Sequence, residues 1–215
     1  MEFREYVALR RVEIAEIAED NGTSYTLKKQ AADFIDGNEA DQVWFPLSGI
    51  ASIAKTVNES STVKYYDDNG VIVYTSEGND EYTLTLSVLD KATKAWIDGT
   101  TYKNGVLVGT PKKKKAFAMR FIGQDSNGVD EFNYVHKVMF TGGAETYNTK
   151  TDSTEGAGVE YTATSIYTST KLALAEGETP KAFKLSQVES TGTRTEEVVF
   201  ADTIATPADL VSLAE

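Results

Sequence analysis

The sequence predicts a mainly β protein: two packed antiparallel sheets, as a β-sandwich or partial barrel, flanked by one short α-helix and carrying long extended loops. Three observations lead there. Apolar residues recur at every second position through several segments, the period at which strand side chains reach one face of a sheet. Turn residues divide these segments at short intervals, which favours hairpins, because parallel strands need crossovers of roughly a dozen residues or more. A stripe at helical spacing with both end signals occurs at residues 89–97.

In chain order, residues 34–46 are acidic and punctuated, so an exposed loop is expected there, although it carries Trp44 and Phe45. Asp67-Asp68-Asn69-Gly70 separates two short strands, residues 63–66 and 71–75. Asn-Gly suits the centre of a two-residue hairpin turn because both positions need a positive φ. In residues 81–88, Tyr82, Leu84, Leu86 and Val88 share one face and Thr83, Thr85 and Ser87 the other. The helix follows, with Asp90 as N-cap, Leu89, Thr93, Trp96 and Ile97 as its stripe, and Gly99 as its stop. Lys103-Asn104-Gly105 joins two further short strands.

Phe117, Met119 and Phe121 alternate next, and Asp125-Ser126-Asn127-Gly128 turns that strand back into residues 131–140. There Phe132, Tyr134, His136, Val138 and Phe140 are expected on one face. Residues 141–158 form a long polar Gly/Thr segment, and Val159, Tyr161, Ala163 and Ser165 resume the alternation. A weaker helical pattern, opened by Pro207, covers 207–215. The chain reads as one domain over 1–215, with 171–215 as a C-terminal extension.

A chain of 215 residues with 40% hydrophobic residues, 11 Tyr and 9 Phe can bury a core, which excludes disorder. It has no Cys, hence no disulfide, thiolate metal site or Cys nucleophile. The opening Met1-Glu2-Phe3-Arg4-Glu5-Tyr6 has neither the basic nor the apolar region of a secretory signal, so synthesis in the cytoplasm without export is expected. No apolar run reaches the roughly 18–20 residues that span a bilayer, so no membrane partner is expected. The net charge of −12 opposes tight nucleic-acid binding, which draws its affinity from Lys and Arg on phosphates.

Catalytic patterns are missing. His136 is the single histidine, which rules out a multi-His metal site and leaves any triad with one candidate base. Its place in an alternating strand reads as structural. The acidic pairs Asp67/Asp68, Asp125/Asp130 and Glu196/Glu197 lie in turns or side by side, not across a cleft as glycoside hydrolysis requires. Asp125, Asn127, Gly128 and Asp130 have the wrong glycine position for an EF-hand loop and suit a hairpin turn. No phosphate-loop, dinucleotide or nucleophile-elbow motif occurs. The expectation is a non-enzyme with no catalytic, cofactor or metal residues. Candidate contact residues are Trp44 and Phe45, as an exposed aromatic anchor, and the basic run Lys112, Lys113, Lys114 and Lys115. The blander reading of the run is a solvated loop entering a strand. Trp96 reads as a core residue pinning the helix.

The order of these pieces carries a resemblance. Val63-Lys64-Tyr65-Tyr66-Asp67-Asp68-Asn69-Gly70-Val71 precedes Glu81-Tyr82-Thr83-Leu84-Thr85-Leu86, the helix, and the Tyr102-Lys103-Asn104-Gly105-Val106-Leu107-Val108 hairpin. The strands at 117–123 and 134–140 and the acidic, Gly-containing run into the Thr/Tyr strand at 152–170 complete it. Over roughly residues 5–170 this resembles the major tail (tail-tube) protein family of long, non-contractile-tailed phages of Gram-positive bacteria. The resemblance implies hexameric rings whose inner strands join into one barrel and which stack into a tube in the virion. It further implies a tape-measure protein and other tail proteins as partners, and DNA passing through the lumen without specific binding. An acidic lumen surface fits that passage. The other reading is a β-sandwich binding module of adhesin or carbohydrate-binding type, with Trp44, Tyr65 and Tyr66 as stacking aromatics.

Overall fold

Strand order, not strand count, decides where this chain is open. The computed structural model describes residues 6–35, 37–66, 69–87, 89–145 and 158–213. Its strands in order are β1 (Tyr6–Asp20), β2 (Tyr25–Leu27), β3 (Phe45–Pro46), β4 (Ile50–Thr56), β5 (Glu59–Tyr66), β6 (Asn69–Glu77) and β7 (Asp80–Leu86). Helix α1 (Lys91–Asp98) comes next, then β8 (Thr101–Lys103), β9 (Val106–Val108), β10 (Phe117–Asp125), β11 (Asp130–Glu145) and β12 (Val159–Ser165). The chain closes with β13 (Lys171–Leu172), β14 (Lys181–Ala182), β15 (Leu185–Glu189), α2 (Glu196–Val199) and α3 (Pro207–Ser212).

The mainly β, antiparallel expectation holds. One large sheet runs β2-β1-β10-β11-β12-β7-β4, with β15 added to β11 and β3 to β1. The hairpins β5–β6, β8–β9 and β13–β14 stand as separate pairs. The sheet curls so that Leu9 of β1 and Ile53 of β4 pack on one core, yet it does not close into a barrel among the described residues. Ile14, Leu84, Phe117, Met119, Val138 and Tyr161 fill that core, and α1 plugs it with Trp96 and Ile97. Burying side chains of this size stabilises by about 1.5–3 kcal/mol each.

Most local signals behave as their chemistry dictates, but Asn69 and Gly70 open β6, opposite Tyr66 and Tyr65, and are not the centre of their hairpin turn. Asp90 accepts the Thr93 N–H at 2.8 Å. Gly99 takes φ +67° and returns its N–H to the carbonyls of Ala95 and Trp96. A Cβ at Gly99 would lie 2.0 Å from the Lys113 carbonyl oxygen, so the residue is fixed by space as well as by φ. Asn104 and Gly105 have φ of 51° and 78°, as an Asn-Gly hairpin turn demands. Asp67, Asp68, Val88 and residues 146–157 lie outside the described residues. The helical pattern at 207–215 appears as α3 over Pro207–Ser212, with a capping box between Thr206 and Asp209.

Among the strands that depart from simple alternation, β1 and β11 shape the cores. In β1 a bulge at Arg11, φ 43°, shifts the register against β10. It turns Leu9 on one side and Val12 and Ile14 on the other toward the same core, although their positions differ in parity. In β11 the register slips between Val135 and Val138, opposite Met119 and Phe117. The single apolar face expected for residues 132–140 is therefore split. Val135, Val138 and Phe140 face the first core, whereas Phe132 and Tyr134 face a second one.

That second core lies on the outer side of β1, β10 and β11. Residues 183–213, a C-terminal strap containing β15, α2 and α3, cover it with Val199, Phe200, Ile204 and Leu210. Helix α2 carried no sequence signal that pointed to it. At the far end of β1, Asp20 ties the sheet to the turn at 168–170. It accepts from Lys137 at 2.6 Å and from the N–H groups of Ser169 and Thr170 at 2.9 and 2.8 Å. Burial works to raise its pKa, but these donors prevail and hold it at about 2 against an ordinary 3.8. Its contribution is therefore complete above the ordinary value and is lost as pH falls through about 2. Asp20→Asn is expected to cost about 1–2 kcal/mol near neutrality and little near about pH 2. Urea midpoints at the two pH values test this; an equal loss at both would remove the charge from the account.

Candidate assembly surface

Besides the outer edges of the short strands β2, β3 and β15, two strand edges of the large sheet are open among the described strands. β4 pairs with β7 on one side, and no described strand lies on its other side. In β1, residues 6–11 pair with β10 on one side only, since β3 joins at Glu13 and Ile14 and β2 from Ile17 onward. The open edges face each other across a groove of about 450 Å³ lined by Val7, Leu9, Ile53, Tyr82, Phe121 and Leu185. At its rim Tyr6 is 66% and Val7 63% exposed, high values for apolar residues on a strand. Partial burial of the Tyr6 hydroxyl, then its hydrogen bond to Glu131, push that phenol up to about 12. Open strand edges with apolar rims are templates for pairing with another chain.

A second surface adjoins this one. On β4, β7, β12 and the middle of β11, the residues turned away from the core share three rows. Thr56, Glu81, Thr164 and Met139 form one, Ala54, Thr83, Thr162 and Thr141 the next, and Ser52, Thr85, Glu160 and Ala144 the third. None is Lys or Arg. Neighbours across the sheet stand about 4.8 Å apart. The face is hydroxyl-rich and carries the two exposed carboxylates Glu81 and Glu160. The strap covers β10 and the first part of β11 and leaves this face bare.

The residues singled out from sequence are placed differently. Trp44 and Phe45 are core residues, 2% and 3% exposed, not an exposed anchor. Phe45 pairs with Ile14 as part of β3, so strand alternation sends Phe45 into the first core and Trp44 into the second. A buried Trp44 cannot act as a stacking platform; the side chains of Tyr65 and Tyr66 lie outside those described. Of the basic run, Lys112 meets Asp98 at 3.6 Å, Lys114 donates to the Phe140 carbonyl at 2.9 Å and Lys115 to Glu16 at 3.0 Å. Lys113 bonds through its backbone to Gly99 and is exposed. The run thus ties the entry of β10 to α1 and to the sheet.

His136 is 1% exposed beneath the strap. Asp125 belongs to its turn, accepting the N–H groups of Asn127 and Val129, each at 2.9 Å. Glu196 pairs with Arg11 at 2.9 Å. No group of three or more potential metal ligands occurs among the described residues, and none of their helices is long and apolar enough to cross a membrane.

The resemblance implied strand edges that pair between copies, but the residues did not say which edges are open, because strand order is long-range information. Sequence reading passed over Arg120, which is 1% exposed. Arg120 sits between apolar neighbours at a position that alternation assigns outward, and only the strap makes that position internal. No protein-family model matches the chain, and no curated protein is significantly similar to it.

Proposed function

We propose that this chain is a structural protein that assembles with copies of itself, as a tail-tube subunit of a phage virion. One observation carries the reading: two unpaired edges of a single sheet, the first part of β1 and all of β4, flank an apolar groove. Edge pairing between copies satisfies these backbone groups and covers Tyr6 and Val7, and repetition of such a head-to-tail contact around an axis closes a ring. In that ring the bare hydroxyl face, with Glu81 and Glu160, is the surface suited to a conduit. It offers a passing polyanion no cation to hold it, and its carboxylates repel phosphate. Stacked rings would then enclose a tape-measure protein during assembly and DNA afterwards.

The test is assembly itself. At high concentration in assembly-promoting salt the protein is expected to form rings or tubes in electron micrographs. Val7→Asp and Ala51→Asp, both at exposed positions of the open edges, are expected to reduce the assembled fraction at least about tenfold. Their thermal stability should stay within about 0.5 kcal/mol of the parent, as for surface substitutions generally. A wild-type protein that stays monomeric under these conditions, or variants that assemble as well as wild type, would sink the proposal.

A further inference from the structure

Beside the β11–β15 pairing and the Arg120 bonds to the Phe200 and Ala201 carbonyls, the strap is fastened to the sheet at a histidine. The His136 Nε2 lies 2.8 Å from the Ser186 hydroxyl on β15, and its backbone N–H donates to the Lys184 carbonyl at 2.9 Å. The backbone of Ala205, just before α3, favours the charged ring. Phe183 meets it edge-on at 4.9 Å, Tyr134 stacks at 6.2 Å and Tyr25 approaches edge-on at 6.4 Å. His136 therefore meets the strap through its backbone at Lys184 and through its ring at Ser186 and Phe183, in a largely aromatic surround.

We infer that His136 is an acid-sensitive latch, whose protonation frees β15 from its pairing with β11, and α2 and α3 from the outer side of β10 and β11, while the rest of the sheet stays folded. The surround suits a neutral ring. A charged one must sit among Phe183, Tyr134 and Tyr25 without water, and burial costs an ion far more than it costs a neutral imidazole. The surrounding charges do little to offset this. Asp209 on α3 favours the charged ring, but it is engaged with the N–H groups of Ala205 and Thr206. The Lys184 ammonium turns away to Glu77 and Asp80. Lys137, next along β11, is held by Asp20, and Arg120 on β10 lies beyond Tyr134, bonded to Glu13.

Burial lowers the His136 pKa to about 4 from an ordinary 6.5, against the opposing pull of Ala205 and Asp209. The opened state takes up the proton at the ordinary value. The latch is thus fully effective above that value and weakens as pH falls from 6.5 toward 4. The window lies above that of Asp20. Release would expose Trp44, Phe132 and Tyr134, now buried under Phe200 and Leu210.

Because His136 is the single histidine, its imidazole proton resonances can be followed in wild type without assignment. They are expected to show a midpoint between about 4 and 6.5, because opening lends the ring its ordinary value. Hydrogen exchange over the same interval should show β15 and α3 losing protection at least about tenfold while β7 and β12 keep theirs. His136→Gln should abolish the pH dependence of strap protection in that interval. A midpoint at or above the ordinary value, loss of protection by strap and sheet together, or a strap still protected once the ring is charged each overturns the inference. The wild-type measurements decide it even if H136Q fails to fold.

Discussion

Arg120→Leu is expected to destabilise the protein by about 3–5 kcal/mol, the range found when one member of a buried ion pair is removed. The guanidinium meets Glu13 through two nitrogens at 2.6 Å. It also donates to the carbonyls of Phe200 and Ala201 at 2.9 and 3.1 Å, capping the end of α2. It lies 4.2 Å over the Trp44 ring and 4.6 Å over that of Phe200. Leucine restores some volume but leaves a buried carboxylate and two carbonyls without this donor. Glu13→Leu with Arg120→Leu also removes the buried carboxylate, which in R120L keeps only Arg11 as its charged partner, so the double variant should be more stable than R120L alone by about 1–3 kcal/mol. It should remain below wild type because the carbonyls still lack their donor. Chemical denaturation of the three proteins settles this; a single-variant loss under about 1 kcal/mol would show that the Arg120 contacts carry little of the stability.

Trp96→Ala should cost a similar amount, about 3–5 kcal/mol, for a different reason. Its ring meets Phe34, Phe45 and Phe117 at 5.5, 5.2 and 5.1 Å, which makes α1 part of the first core. Its indole N–H donates to Glu16 at 2.7 Å. Burial works to raise the Glu16 pKa, but the Trp96 and Lys115 donors hold it below the usual range. The alanine variant opens a cavity and also strips a buried carboxylate of a donor. Trp96→Phe keeps most of the packing and loses only the donor, so it should cost about 1–2 kcal/mol. Equal losses for the two variants would place the whole effect in the Glu16 contact.

The contrast between α1 and Arg120 marks what was legible in the residues alone. Asp90, Gly99 and the Asn104-Gly105 turn act within a few residues of themselves, so composition and spacing foretold them. The bulges at Arg11 and in β11 reverse an alternation midway, and a reader assuming constant period two assigns Val138 and Tyr134 to one face when they lie on opposite ones. Trp44 looked exposed because its neighbours are loop-like, but two residues of strand suffice to bury it. Arg120 and the open edges of β1 and β4 depend on partners far along the chain. Nothing local encodes them.

The pairing of β1 with β10 has a consequence during synthesis. The first strand leaves the ribosome about a hundred residues before the strand that covers it. At translation rates of roughly 5–20 residues per second, it waits roughly 5–20 s without that neighbour. The charges at Arg10, Arg11, Glu13, Glu16 and Glu19 interrupt its apolar residues throughout, the arrangement that keeps a waiting strand from associating with nascent copies of itself. The groups that later form the internal pairs of the mature fold thus first serve to keep the unfinished chain soluble.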